Sequence, residues 1–339
     1  MANLTPYIQP PTVAAIYAHY EAERGPPHRP HLGGSQIGHA CERYLWYQFH
    51  WADHEPFEGR ILRLFETGDR EELRLIDNLR SVGVTVYPVD PQTGQQWNYT
   101  AFGGHFGLSL DGVGVGFAES GQWHLLEFKT MNAKGFAQLK AKGLKETKPV
   151  YHSQVIIGME LADLPRTYHF TTCKDTDEIY GERIKPDTKE AARLLDKAER
   201  VIFSEKPLDK ISERPDWYEC KFCPMWNICH GGKAAEVNCR TCLHSTARRD
   251  GTWHCARHDR VLSVDDQRAG CDRHLFRPEL VPAEQVDAGE DWVSYKTERG
   301  EYRNGAGGYT SREIRANADL PLDEGAEKIR ARFGAEVIG

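Results

Sequence analysis

The sequence predicts an α/β fold in which helices flank a mixed central β-sheet, followed by a small C-terminal zinc-binding module. Segments with helical periodicity come first, and the period changes to that of strands from Val84 onward. After Lys129 helical and strand-like segments alternate, which indicates a sheet with mixed strand directions. Two groups of cysteines come after the last long helical segment, and their spacing is typical of metal ligands.

Composition narrows the class of protein. The chain has 339 residues, of which 40% are hydrophobic, and its net charge is −7. The N-terminal segment lacks a basic stretch followed by an apolar run, so we expect no signal peptide. No stretch approaches the ~20 apolar residues of a membrane span. We therefore expect a cytoplasmic protein in which the nine cysteines bind metals or remain buried thiols, as at Cys173.

The N-terminal third is predicted to be helical after a lead-in. Residues 1–32 form this lead-in and end in a Pro- and Gly-rich stretch. Ser35 is the predicted N-cap of a first helix that runs through Cys41 to Phe49. A second helix is predicted over residues 61–83, ending at the glycine. Its apolar positions are Leu62, Phe65, Leu73, Ile76 and Leu79.

Strand-like and helical segments then follow one another up to the first cysteine group. Hairpins with a turn at residues 119–122 are predicted by the alternation of apolar and polar residues. Asp187 and Glu190 are spaced like a capping box at the start of a helix. The predicted order is strand 84–90, hairpins 102–130, a lysine-rich helix, helix 149–161, strand 166–175, strand 178–184, helix 187–205, and a late hairpin at 295–305.

A pair of charged residues stands out on an otherwise apolar strand. Side chains alternate along a strand, so Glu127 and Lys129 project from one face while Leu126 and Phe128 can enter the core. The paired strand brings Asp111 alongside Glu127. Two adjacent carboxylates repel each other unless a cation lies between them, and oxygen-only ligation suits Mg²⁺ or Mn²⁺. This pattern indicates metal-dependent phosphodiester hydrolysis, although a cross-strand ion pair also explains such a triplet.

Asp111 followed by Glu127-Phe128-Lys129 resembles the motif of the PD-(D/E)XK nucleases, with Leu110 in place of the variable proline. The stretch from Gly68 to Glu72 is similar to the upstream helical motif of the RecB-like branch. In that branch a glycine precedes a metal-binding His or Glu by four positions. The resemblance therefore implies Glu72 as a metal ligand together with Asp111 and Glu127.

Two further details belong to this resemblance. Glu71 is the fallback for the ligand from the upstream helix, and the number of bound metals stays open because many members with an iron–sulfur cluster have His at that position. Tyr151 and Gln154, which follow Pro149, are similar to the branch's next motif, a helix whose Gln and Tyr face the site. The resemblance assigns both to the catalytic centre. An ordinary helix surface is the alternative reading of these two residues.

The first cysteine group has the pattern C-x-x-C-x₅-C, formed by Cys220, Cys223 and Cys229. Clustered thiolates bind metals, but a closed site needs a fourth ligand, and the spacing fits zinc as well as an iron–sulfur cluster. RecB-like nucleases with an iron–sulfur cluster place one cysteine before the nuclease core and three after it. The resemblance implies that Cys41 is the fourth ligand and that the group is a [4Fe–4S] cluster with a structural role.

The second cysteine group has the pattern C-x₂-C-x₁₂-C-x₁₅-C, close to that of a zinc ribbon. The predicted Zn²⁺ ligands are Cys239, Cys242, Cys255 and Cys271. One of them could be replaced by a nearby histidine: His244, His254, His258 or His274.

Two basic stretches are candidates for DNA contacts. Six lysines lie between Lys129 and Lys148 against the single Glu146, and eight arginines lie between Cys239 and Arg277. Solvated surfaces explain either stretch equally well. The candidate DNA-binding residues are Lys134, Lys140, Lys142, Arg248 and Arg249.

Together these features predict a metal-dependent DNA exonuclease, encoded by a phage or mobile element, that acts in recombination or DNA end processing in the host cytoplasm. Its expected partners are DNA with ends or single strands, and a recombinase or single-strand annealing protein. The alternatives are a CRISPR-adaptation nuclease and a non-catalytic DNA-binding subunit that keeps the fold. The predicted domains are the lead-in 1–32, the nuclease domain 33–232, the zinc module 233–282 and a tail of unknown role, 283–339.

Overall fold

The computed structural model describes residues 9–54, 56–317 and 319–334. The chain divides into two compact units. Unit 1 comprises the described residues of segments 1–27, 55–99 and 108–194, and unit 2 those of segments 28–54, 100–107 and 195–339. No helix in the described part of the chain combines the length and hydropathy needed to cross a membrane.

The elements are numbered in chain order. The α-helices of the described residues are α1 (Pro11–Ala22), α2 (Glu42–Phe49), α3 (Gly59–Ser81), α4 (Ala133–Thr147), α5 (Pro149–Ala162), α6 (Thr188–Phe203), α7 (Tyr218–Lys221), α8 (Trp226–Cys229), α9 (Val264–Ala269), α10 (Ser311–Ala316) and α11 (Glu324–Phe333). The strands are β1 (Leu32–Gly33), β2 (Thr85–Tyr87), β3 (Asn98–Ala101), β4 (Phe106–Ser109), β5 (Gly112–Val115), β6 (His124–Met131), β7 (Thr167–Cys173), β8 (Ile179–Ile184), β9 (Ser245–Ala247), β10 (Trp253–Cys255), β11 (Arg260–Leu262), β12 (Glu284–Gly289), β13 (Trp292–Thr297) and β14 (Gly300–Gly305).

Unit 1 is built on a five-stranded sheet in the order β2-β5-β6-β7-β8. β6 lies in the middle, antiparallel to β5 and parallel to β7, while β8 returns antiparallel to β7. The parallel step needs a long crossover, which α4 and α5 supply. The predicted mixed sheet flanked by helices is therefore confirmed.

The core of unit 1 lies between α3 and one face of this sheet. Leu126 and Phe128 of β6 pack there with Leu75 and Ile76 of α3, as the alternation of β6 predicts. Burying a side chain of this size stabilises the fold by about 1.5–3 kcal/mol. The predicted apolar face of α3 is partly wrong. Leu73 is 63% exposed and Phe65 is 48% exposed, and Leu75 lies in the core in their place.

The lead-in contains a helix that the sequence pattern missed. The first eight residues lie outside the described range. α1 begins with Pro11, and proline suits the first turn of a helix because the backbone N–H groups there have no carbonyl partner within the helix. α1 packs on α3, and the Tyr20 hydroxyl donates to Glu66. Gly59 is required at the start of α3, since a Cβ there would lie 2.2 Å from the Tyr17 carbonyl oxygen.

Unit 2 begins α2 later than predicted. Residues 34–38 form turns, and the N–H groups of Gln36 and His39 donate to the carbonyls of Gly33 and Gln36. The helix starts at Glu42, and Cys41 rather than Ser35 is its N-cap, with its Sγ accepting from the Tyr44 N–H at 3.4 Å. The Ser35 prediction is wrong because these turns end before the helix begins.

Two three-stranded antiparallel sheets form the C-terminal part of unit 2. One has the order β11-β10-β9 and is followed by α9, and the other has the order β12-β13-β14. β13 and β14 form the predicted late hairpin, with Thr297 paired to Gly300 at its turn.

Candidate nuclease centre and cysteine sites

The sheet register brings the first two candidate carboxylates together. Gly112 of β5 pairs with Leu126 of β6, so the next position outward places Asp111 across from Glu127. Asp111 is held in place because its Oδ2 accepts the backbone N–H of Phe128 at 2.8 Å. Antiparallel pairing thus produces from local strand geometry the juxtaposition that the sequence predicts.

Glu127 is the most deeply buried charge of this centre, at 1% exposed. The Lys129 ammonium forms an ion pair with Glu127 Oε1 and lies 3.8 Å from Asp111 Oδ2. Gln154 Nε2 donates to the same oxygen of Glu127 at 2.8 Å. Each carboxylate therefore has a fixed partner, as buried charges require.

The electrostatics of this centre follow from burial and crowding. Burial raises the pKa of Glu127, Asp111 raises it further, and Lys129 opposes the shift. Burial alone would lower the pKa of Lys129, but Glu127 and Asp111 outweigh burial and raise it. Lys129 therefore stays charged and is the cation that offsets the two carboxylates.

Glu72 on α3 belongs to the same electrostatic environment. Burial and then the charge of Asp111 raise the pKa of Glu72 to about 7, while Lys129 lowers it. Glu71 faces elsewhere, since its carboxylate accepts the Thr172 hydroxyl at 2.8 Å and pairs with Arg74 at 3.4 Å. Of the two adjacent glutamates, Glu72 is thus the one whose pKa is shifted by the charges of Asp111 and Lys129.

Tyr151 lies at the edge of the centre, on α5. The Lys129 ammonium is 5.8 Å from the centroid of its ring, and the Lys148 ammonium is 6.0 Å from it. Gln154, one turn further along α5, is 7% exposed and reaches Glu127. The predicted helix from Pro149 therefore brings both of its candidate residues to the group formed by Asp111, Glu127 and Lys129.

His169 is a buried residue beside the centre that the sequence reading missed. It pairs with Glu127 in the parallel β6–β7 register, and its Nε2 lies 2.8 Å from the Thr171 hydroxyl. Burial, followed by the charge of Lys129, lowers its pKa to about 3, so the ring is neutral. The sequence places His169 on a predicted strand, but only the pairing of β6 with β7 shows that this residue lies beside Glu127.

The two adjacent glutamates of α3 give a matched pair of variants. We expect Glu72→Ala to lose DNA cleavage by about 10²-fold or more, because it removes the carboxyl group of α3 that interacts electrostatically with Asp111 and Lys129. Glu71→Ala should retain most activity and lower the melting temperature, because it loses the Thr172 and Arg74 contacts. Cleavage rates and thermal melts of both variants measure this. Equal activity losses in the two variants would contradict the assignment of Glu72.

The first cysteine group lies in unit 2 and lines one pocket. Its members are Cys41 at the start of α2, Cys220 on α7, and Cys223 and Cys229 near and on α8. Arg43 and Lys210 line the same pocket. Burial, together with the nearby thiols Cys41 and Cys229, raises the pKa of Cys223 to about 11. The structure thus brings the cysteine of the N-terminal region to the clustered three.

The second cysteine group lines a separate pocket of unit 2, between the β9–β11 sheet and α9. Its members are Cys239, Cys242, Cys255 and Cys271. Burial and the three other thiols raise the pKa of Cys239 to about 12. Cys271 Sγ lies 3.8 Å from His258 Nε2. His274 is buried, and its Nε2 lies within hydrogen-bond distance of the Asn238 carbonyl oxygen and the Thr241 hydroxyl.

The candidate DNA-binding residues are exposed, and several are paired. Lys140 forms an ion pair with Glu178, and Lys142 lies 2.9 Å from Glu146. Arg249 lies 2.6 Å from Glu199. Exposed pairs of this kind contribute little to stability. Lys134 and Arg248 are exposed as well.

Comparisons with known proteins give remote likenesses only. No protein-family model matches the chain, and no curated protein matches it. The structure of SSO0001 is 16% identical, with a TM-score of 0.39 over 66% of this chain and 98% of that chain. The exonuclease LHK-Exo in complex with dAMP is 17% identical, with a TM-score of 0.38 over 56% of this chain and 90% of that chain. The alkaline exonuclease LHK-Exo from Laribacter hongkongensis is 16% identical, with a TM-score of 0.37 over 54% of this chain and 90% of that chain. At these values the likeness assigns this chain neither a family nor an activity.

Proposed function

We propose that the protein is a divalent-metal-dependent DNA nuclease of the exonuclease type. One observation carries the proposal: Asp111 and Glu127 meet across β5 and β6 with Lys129 between them. Glu72 adds a third carboxyl group, whose pKa is shifted by the charges of Asp111 and Lys129. Buried charges on an otherwise apolar central strand are costly to keep unless they are used.

The donor set fits Mg²⁺ or Mn²⁺, because it consists of carboxylate oxygens and contains no thiol or imidazole. Glu72, Asp111 and Glu127 would hold the ion. When bound, such an ion polarises a phosphoryl oxygen and lowers the pKa of a water molecule. Its charge would also offset the crowding that now raises the pKa values of Glu72 and Glu127.

The protein's own groups orient the reaction. The Phe128 N–H fixes Asp111, and the Gln154 amide fixes Glu127, so neither carboxylate needs to reorganise. The Lys129 ammonium can donate to the attacking water or to a phosphate oxygen, since the pairing with Glu127 holds it at the centre. Tyr151 and Lys148 border the same position and could contact the adjoining phosphate.

An assay on end-labelled DNA tests this function. Single- and double-stranded DNA, labelled at the 5′ or 3′ end, is incubated with Mg²⁺, Mn²⁺ or a chelator. We expect cleavage from an end with either metal and none with the chelator. The position of the label that is released first gives the polarity. Binding without cleavage under every condition would support the alternative, a non-catalytic DNA-binding subunit.

We also propose that Cys41, Cys220, Cys223 and Cys229 hold a [4Fe–4S] cluster. The four thiols line one pocket, and cysteine thiolates are the usual ligands of such clusters. The Tyr44 N–H donates to Cys41 Sγ, and Arg43 and Lys210 line the same pocket, where their positive charges would offset the negative charge of a cluster held by four thiolates. The cluster would fix the start of α2 to the α7–α8 segment, about 180 residues away, which lowers the entropy of the unfolded chain.

For the second group we propose one Zn²⁺ held by Cys239, Cys242, Cys255 and Cys271. Support comes from the pocket that the four thiols share and from their spacing, which is close to that of a zinc ribbon. Replacing Cys255 by Ser should remove about one Zn²⁺ per chain, as measured by elemental analysis of the full-length protein, and lower the melting temperature. The iron content should not change. Wild-type zinc content in this variant would contradict the ligand set.

A further inference from the structure

Unit 2 contains a third cluster of ligating side chains, separate from both cysteine groups. Within the described ranges, His28, His54 and Glu236 are the one set of three His, Cys, Asp or Glu residues whose ligand atoms all lie within 4.8 Å of one another. We infer that these residues bind a divalent transition-metal ion of the zinc class. No motif in the sequence indicates this site, because the three residues are far apart in the chain.

The distances suit a small tetrahedral ion. His28 Nε2 lies 3.1 Å from Glu236 Oε2, and His54 Nδ1 contacts the other carboxylate oxygen. Bonds of about 2.0–2.2 Å from zinc to nitrogen and oxygen place neighbouring ligand atoms about 3.4 Å apart. The His28–Glu236 distance is already close to this value. The His54–Glu236 contact would lengthen as the ion takes its place between them.

The His28 ring is held in position by contacts outside the cluster. His28 stacks on Trp51, with ring centroids 5.6 Å apart and planes at 13°, and the Trp51 indole N–H donates to the Arg29 carbonyl at 2.8 Å. The two imidazoles meet edge to face, with centroids 5.3 Å apart. Stacking and hydrogen bonding of this kind reduce the entropy lost when the ligands close on an ion.

Glu236 is fixed through its backbone. Its N–H donates to the Ala52 carbonyl at 2.7 Å, and its own carbonyl accepts the Thr241 hydroxyl at 2.6 Å. The His54 side chain is 33% exposed, so water and an ion can reach the cluster from its side. His28 and Glu236 are therefore preorganised, and the cluster is accessible from the side of His54.

The chemistry of the cluster separates it from the other metal sites. Two imidazoles and one carboxylate favour zinc and similar ions over Mg²⁺, which prefers oxygen alone. Three protein ligands leave a coordination position for water. His28 and His54 begin and end the first segment of unit 2, so a bound ion would fasten both ends of that segment to Glu236.

Zinc titration of the full-length protein tests this inference. The protein, with its cysteine groups loaded, is treated with a mild chelator and titrated with Zn²⁺ in excess Mg²⁺ by calorimetry. We expect the wild type to bind one Zn²⁺ per chain at this site. The Glu236→Gln and His54→Ala variants should bind this ion more than about 100-fold more weakly, since even changes to residues that only support the ligands cost about 10–100-fold. Zinc should raise the melting temperature of the wild type but not of the variants.

His19→Ala is the matched control. His19 lies 3.7 Å from Glu23 on an exposed face of α1, which is a histidine–glutamate pair without a third ligand. This variant should bind zinc as the wild type does. If Glu236→Gln does not fold, His54→Ala carries the test, because its ring is partly exposed. Equal zinc binding by the wild type and a folded variant, or no uptake by the wild type, would overturn the inference and leave a hydrogen-bonded trio.

Discussion

Lys129→Ala protein should lose DNA cleavage by about 10²–10³-fold or more while still binding DNA. The ammonium lies between Glu127 and Asp111, where it can position the attacking water and offset charge at the phosphate. Removal of one such preorganised group typically costs that much in rate. Glu127→Ala and Asp111→Ala should lose activity to a similar extent. Single-turnover cleavage and equilibrium binding on the same DNA measure the two effects separately.

Glu146→Ala is a suitable control for these variants. Glu146 is an exposed carboxylate of α4 in unit 1, and its side chain is paired with Lys142 at 2.9 Å. Its loss should leave the rate nearly unchanged. Near-native cleavage by purified Lys129→Ala protein would remove the nuclease assignment from these residues.

Cys41→Ala protein should lose its iron and sulfide as completely as Cys223→Ala protein does. A [4Fe–4S] cluster has four irons to ligate, and a missing thiolate exposes one of them to solvent and oxygen. The wild type should be brown, and both variants should be pale, with lower melting temperatures and less cleavage. Visible absorbance together with iron and sulfide analysis of protein purified without oxygen measures this.

Cys173→Ala provides the control, because Cys173 is a buried thiol at the end of β7 and lines neither cysteine pocket. Its iron content should equal that of the wild type. Full iron and sulfide in Cys41→Ala protein would place the fourth ligand elsewhere, with His230 of the same pocket as the first candidate. A colourless wild type that carries only zinc after growth with iron would contradict the cluster.

Local patterns predict most of unit 1. The alternation in β6 separates Leu126 and Phe128, which enter the core, from Glu127 and Lys129, and antiparallel pairing of adjacent strands brings in Asp111. These features depend on neighbours in sequence, so the sequence is sufficient. The start of α2 is different, because Ser35 is a favoured N-cap residue by type, whereas the helix begins at Glu42 and is capped by Cys41.

Features that depend on pairing between distant segments were not predictable in the same way. The choice between Glu71 and Glu72 depends on the rotation of α3 about its axis, which its packing on β2 and β6 determines. His169 approaches Glu127 only through a parallel pairing that spans two helices. No sequence motif describes residues as far apart as His28, His54 and Glu236. The helical pattern of α1 is weak, and the helix follows a Pro-rich stretch.

The central claim is that a divalent ion held by these carboxylates contacts the phosphate that is cleaved. DNA with a single phosphorothioate of defined configuration at the scissile position tests it most directly. Sulfur binds Mg²⁺ poorly and Mn²⁺ better, because Mg²⁺ is the harder ion. We expect one diastereomer to be cleaved much more slowly than normal DNA in Mg²⁺ and to recover in Mn²⁺. Equal cleavage of normal and substituted DNA in both metals, or cleavage that persists with a chelator, would contradict the claim.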